Sequence, residues 1–188
     1  MPDQEYFTVH HKMTVNVEPL LPEEPIPSFD QFISEIPAPF LVASEFSNLD
    51  LLNDNARNEL KNNDFKHVIA LLDTQNAKLN LLLTFMLEQQ NAEEYRHYTN
   101  SFGASQFSYT ASSPLQLEDK VRVKLFLDHP AAAIYSYGHV VQCEPQGEQF
   151  LITIKYDLLR DLDEDLLIKA ALYQQQKILR QRTLNRDK

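Results

Sequence analysis

The sequence predicts an α+β chain, mainly β: a small antiparallel barrel or sandwich interrupted by one long coiled-coil helix and finished by a C-terminal helix. Three patterns predict it. Apolar and polar residues alternate near the N-terminus and again over residues 106–156, a seven-residue apolar repeat fills a stretch free of Pro and Gly, and the last twenty or so residues run from acid to base.

Tyr6 to Val17 alternates, with Phe7, Val9, His11, Met13, Val15 and Val17 on one side, as a half-buried strand should. The next segment, residues 18–54, carries Pro19, Pro22, Pro25, Pro27, Pro37 and Pro39. Proline removes a backbone donor and fixes φ, so the segment reads as a linker with one short helix, capped by Ser28 and ended by Pro37. Residues 55–91 then hold no Pro or Gly and are rich in helix formers, which predicts a single helix about 50 Å long.

Along that helix Phe65, Leu72, Leu79 and Met86 recur every seven residues, and Val68 and Leu82 occupy intervening positions, so these six form a seam for association. Ile69 and Leu83 widen it beyond what one partner helix covers, which points to more than two helices. Gln75, Asn76 and Gln89 interrupt the seam, where polar groups can fix register and helix number. The plainer alternative is an amphipathic helix lying on its own domain; length and strict spacing favour association.

After Arg96 the period becomes two. Gln106–Ala111, Val121–Leu127, Ala132–Cys143 and Gln149–Tyr156 read as strands, with a tight turn at Pro145-Gln146-Gly147. Asp163 is the expected cap of a helix with Leu167, Ala170, Gln174 and Ile178 on its buried face and Lys177, Arg180 and Arg182 near its end, complementing the helix dipole.

Composition excludes several functions. Only three glycines occur in 188 residues, too few and too scattered for a phosphate-cradling loop or a dinucleotide turn. A net charge of -10 opposes broad contact with nucleic acid or anionic lipid. No run approaches a membrane span, no signal peptide is visible, and the lone Cys143 reads as a buried reduced thiol, so a cytoplasmic protein without membrane insertion is expected. His10 and His11 are neighbours on a strand and point to opposite faces, and His67, His97, His129 and His139 have no local ligand spacing, so no metal and no cofactor is assigned. The stretch Gly103-Ala104-Ser105-Gln106-Phe107 lacks the second glycine of a nucleophile elbow, and the acids Asp157, Asp161, Asp163, Glu164 and Asp165 are explained by capping. No enzyme is expected. The basic end, Arg180, Arg182 and Arg186 with Lys177 and Lys188, stands out against the acidic chain as a candidate phosphate or partner contact, or as a solvated helix terminus.

The order of these segments resembles the PilZ domain of bacterial cyclic di-GMP signalling: FGASQFSYTASSPLQLEDKVRVKLFL, YSYGHVVQCEP and QFLITIKYDL as strands, then DEDLLIKAALYQQQKILRQR as the helix, with YFTVHHKMTVNV as the first strand. The inserted NAKLNLLLTFML is similar to the tetramer-forming PilZ subfamily, in which a long heptad helix drives assembly. The resemblance implies one PilZ-like domain over residues 1–188, a small barrel, assembly into four copies, and control of motility, pili, biofilm or virulence through an unidentified signalling partner. It also implies where the ligand motif should lie. The RxxxR element before the first strand is missing, since the first arginine is Arg57. The (D/N)xSxxG element falls on Ser101, Gly103 and Gln106, each departing from the pattern. Binding of cyclic di-GMP by the usual motif is therefore not expected. A true receptor would need a non-standard site, for which Arg180, Arg182 and Arg186 are the candidates.

Overall fold

The computed structural model describes residues 7–61, 65–128 and 131–186, the side chains of 47, 48, 50–56, 61 and 183–186 excepted. The N-terminal alternation forms two short strands, β1 (Thr8–His10) and β2 (Thr14–Pro19), in place of one; Tyr6 lies outside the described residues. Both pieces pair antiparallel with β3 (Arg96–Gly103), and the break at residues 11–13 shifts the register between them by one residue. β4 (Gln106–Ala111), β5 (Lys120–Asp128), β6 (Ala131–Gln146) and β7 (Gln149–Leu158) complete the sheet. Its order is β1-β3-β2-β5-β6-β7-β4, and β4 returns to pair with β3. With β1 and β2 counted as one interrupted strand, six strands close into an antiparallel barrel, which leaves no long open edge. Val15, Val17, Val123, Leu125, Ile134, Ile152 and Ile154 are buried and form much of its core. The predicted tight turn is present, with Gly147 at φ 64°, a conformation that favours glycine.

Three expectations need correction. β3 was not foreseen as a strand: RHYTNSFG shows no clean alternation, because Arg96, Tyr98 and Asn100 carry its more exposed face. The linker over 18–54 ends early. α1 (Phe29–Glu35) is the short helix expected, with the Ser28 hydroxyl accepting from the Gln31 amide at 3.4 Å, but α2 (Ala38–Lys61) follows at once. Pro37 and Pro39 sit before and within its first turn, where the amides have no helical partner and proline costs nothing. Finally, the single helix over 55–91 is two: α2, and α3 (Lys66–Glu88). The sequence between them is Asn62-Asn63-Asp64, residue types of low helix propensity, and these three lie outside the described residues. Arg57 pairs with Asp73, residues equally spaced on either side of Phe65, so α2 and α3 run back along each other as a hairpin.

α4 (Asp161–Arg186) begins two residues before the expected cap. Leu166, Leu167, Ala170, Ala171 and Gln174 are buried along it, Ile178 is partly so, and the helix packs on β1 and β3. Asp163 is not the cap. It lies fully buried in the first turn and receives Arg160 Nε and Nη2, both at 2.7 Å, while Arg160 Nη2 also donates to Ser44 Oγ of α2 at 2.7 Å. Cys143 is half-buried with a free thiol.

Candidate functional site

Two faces of α3 have opposite fates. Positions 69, 73, 76, 80, 83 and 87, spaced by three, four and seven, make one stripe of a helix. Leu83 and Leu87 of this stripe are buried, Asp73 pairs with Arg57, and Ile69, Asn76 and Asn80 are half-buried, so the stripe faces the rest of the chain. Leu83 therefore does not widen the seam as the sequence suggested; it packs with the barrel. About 100° round the helix, the six seam residues are all exposed: Phe65, Val68, Leu72, Leu79, Leu82 and Met86, at 45–62% of their surface. Leu71, Leu81 and Phe85 add further exposed apolar surface. Phe65 is the residue preceding the first turn of α3, with φ -88° and ψ 32°.

The end of α3 is fastened to the barrel by polar groups that the sequence pattern did not reveal. Asn16, buried on β2, donates from Nδ2 to Asn91 Oδ1 at 2.7 Å and to Ala92 O at 3.2 Å, and its Oδ1 accepts from the Ala92 amide at 2.9 Å. Arg96 Nε donates to the same Asn91 Oδ1 at 3.1 Å, and Lys124 Nζ donates to Gln90 O at 3.4 Å. Burial lowers the Lys124 pKa. Leu87, Phe126, Leu127 and Ala132 border a small cavity of about 170 Å³ beneath this junction. α1 and α2 cover the same face of β5 and β6: Phe32 stacks on Tyr135 at 6.1 Å, Tyr137 Oη donates to Glu35 Oε2 at 2.5 Å, and Phe40 of α2 meets Phe126 edge-on at 6.0 Å. Arg122 holds Glu18 at 3.0 Å and Glu24 at 3.3 Å.

Ser101, Gly103 and Gln106 come together across the β3–β4 turn. Ser101 Oγ is 2.8 Å from Ser108 Oγ, and Gln106 is half-buried opposite Lys155. A Cβ on Gly103 would stand 2.1 Å from the Phe7 carbonyl oxygen, so glycine is required here by the close approach of the backbone before β1. Arg180 and Arg182 are exposed on α4, and the side chain of Arg186 lies outside the described residues. Neither arginine lines the cavity above or the groove below.

That groove, about 760 Å³, lies at the other end of the β3–β4 hairpin and is lined by His10, His11, Lys12, Arg96, His97 and Tyr98 together with Thr99 and Asn100 of β3, the end of β4 and Gln149. Lys12 Nζ sits 4.3 Å from the centre of the Tyr98 ring. Burial lowers the pKa of His97, whose ring is 4.8 Å from that of Tyr109. His139 Nδ1 pairs with Asp157 at 2.8 Å, His67 is exposed on α3, and His129 lies outside the described residues. Among the described residues, no three His, Cys, Asp or Glu side chains are grouped to hold a metal ion, and no helix is long and apolar enough to cross a membrane.

No family model matches the chain, and no curated protein matches it. Solved structures do. A pathogenic protein from Xanthomonas campestris, described as a new tetrameric PilZ domain self-assembled via a helical bundle, superimposes with a TM-score of 0.56 over 94% of this chain and 92% of that one, at 8% identity. The fold is PilZ-like. The Bacillus subtilis inhibitor of motility MotI/DgrA also matches, with a TM-score of 0.41 and 16% identity, over 44% of this chain and 42% of that chain. What defines the PilZ-like fold here is the six-stranded barrel with α4 laid across β1 and β3; the α2–α3 hairpin extends from it.

Proposed function

We propose that this chain is a non-catalytic, oligomeric PilZ-like adaptor of the bacterial cyclic di-GMP network. It acts in the cytoplasm through protein–protein contacts in the control of motility, pili, biofilm or virulence. The observation that carries the reading is the division of α3: one stripe is buried against its own chain, and the other, bearing the sevenfold repeat, is exposed. A row of exposed leucines, a Phe and a Met on a rigid helix is costly to leave in water and is relieved when copies associate. The likeness to a PilZ domain assembled through a helical bundle favours the same use of α3 here, with four copies as the expected number. The chain folds in this reading as one PilZ-like unit, residues 1–188, with α3 inserted between the first and remaining barrel strands.

Assembly gives the adaptor its logic. Each copy presents the same outer surface, and several weak contacts on one array add up to tight engagement of a signalling partner without a small-molecule pocket. The departures at Ser101, Gly103 and Gln106, with no arginine ahead of Arg57, argue that cyclic di-GMP is not held by the usual motif. The test is the mass in solution by light scattering. The wild-type chain should have about four times the mass of a protomer, and Leu72→Asp with Leu79→Asp should give a folded protomer, since neither leucine is in the core. A monomeric wild type, or an unchanged mass in the double variant, refutes the reading.

A further inference from the structure

Two stripes run side by side along α4. One, through Asp163, Leu167, Ala170 and Gln174, is buried. About a third of a turn round the helix lies a second, made of Asp165, Ile168, Leu172, Gln175, Leu179 and Arg182, all exposed. Its spacing alternates three and four, as in a seam between two helices. Ile168, Leu172 and Leu179 are 39–54% exposed. The helix dipole accounts for acid in the first turn and base in the last, but it does not place those charges on the line of the exposed apolar residues. Asp163 on the buried stripe has Arg160, whereas neither Asp165 nor Arg182 has an ion-pair partner among the described residues.

We propose that this stripe docks the α4 of a second copy of the chain, antiparallel about a two-fold axis. The stripe is self-complementary. Asp165 and Arg182, Ile168 and Leu179, and Leu172 and Gln175 stand at equal distances from its middle, so an antiparallel copy brings acid to base, Ile to Leu and Leu to Gln. Asp161 and Arg186 extend the match by one place at the same spacing. A parallel copy would set Asp165 against Asp165 and Arg182 against Arg182, like charges in contact. In the flanking row the antiparallel arrangement sets Lys169 beside Gln176, which adds no repulsion. The barrel lies against the other stripe, so the second helix approaches from solvent. This contact is separate from the α3 seam and has fewer apolar groups, so it forms at higher concentration and joins one α3 assembly to the next.

The test is sedimentation equilibrium on the full-length chain carrying Leu72→Asp and Leu79→Asp, which removes association through α3. This chain should pass from protomer to dimer between about 10 and 500 μM. Arg182→Glu opposes two acids at both ends of the seam, so it counts twice and should weaken the dimer roughly tenfold or more. Adding Asp165→Arg restores opposite pairs with the signs exchanged, and affinity should return to within about threefold of the parent. Leu172→Asp should abolish the dimer, and Arg180→Glu, on another side of the helix, should leave it unchanged. All four positions are exposed, so the variants should keep the parent's circular dichroism. A chain that stays a protomer throughout overturns the proposal and leaves the stripe to a partner protein. Failure of Asp165→Arg to rescue Arg182→Glu, or an equal loss with Arg180→Glu, overturns it too. If Leu72→Asp with Leu79→Asp leaves the mass unchanged, the α3 reading fails by itself, and the same charge exchange is then read in the wild-type chain.

Discussion

Replacing Asp163 by Ala should destabilise the fold by about 3 to 5 kcal/mol, the cost of leaving a buried guanidinium without its partner. Asp163 is wholly buried, and the Arg160 side chain is only 12% exposed, so water cannot replace the lost carboxylate. The two also bind Ser44, which ties α2 to the start of α4. Removing the pair together should behave differently. Burial raises the Asp163 pKa despite the opposing pull of Arg160 and Ser44, so desolvation outweighs what the ion pair returns. Arg160→Met combined with Asp163→Leu should therefore cost much less than either single change, and a coupling of about 2 to 3 kcal/mol should appear in a double-mutant cycle. The assay is urea denaturation, carried out in the Leu72→Asp, Leu79→Asp background so that association does not shift the midpoint. A loss below about 1 kcal/mol for Asp163→Ala, or additivity of the two single changes, would refute the argument that this pair is closed to water.

Gly103→Ala should cost roughly 1 to 3 kcal/mol, because the new methyl meets the Phe7 carbonyl, a backbone atom that cannot rotate away. Hydrogen exchange at Thr8–His10 should rise with it, and unaltered protection there would show that β1 does not depend on this contact. Tyr156→Phe should raise stability by about 1 kcal/mol or leave it unchanged, since the hydroxyl is buried with no hydrogen-bond partner among the described residues; a loss of more than about 1 kcal/mol on urea denaturation would mean that it has one.

Alternation reads well where one face of a strand is apolar throughout, as in Val121–Leu127, and that is why four of the later strands and the N-terminal segment were legible. β3 was not, since its exposed face carries Arg96, Tyr98 and Asn100 and its inner face carries His97 and Thr99, where burial is made acceptable by partners far away in sequence. Thr99 Oγ1, for example, accepts from the Met13 amide and donates to His11 O. Pro37 does end α1 as expected, but the run of prolines was read as a linker, although with Pro39 it also opens α2, where proline in the first turn is a start. On α3 the sevenfold spacing did single out the exposed residues. It could not separate them from Leu83, because two adjacent apolar stripes share the same period and only tertiary contacts decide which faces inward. The Asn16–Asn91 bonds and the Lys12–Arg96 groove depend on residues more than seventy positions apart, and no local pattern announces them.

The junction at Asn16 has a consequence for geometry. An amide that grips the chain leaving α3 on both its donor and acceptor sides leaves little freedom to swivel, so the rod and the sheet turn as one body. In the proposed assembly, rolling α3 by a single residue about its own axis would swing each sheet through about 100° around the bundle. The choice of which leucines interlock is then also the choice of compass bearing for every outward-looking surface, and a change of bundle phase would re-aim the whole array without altering any residue on it.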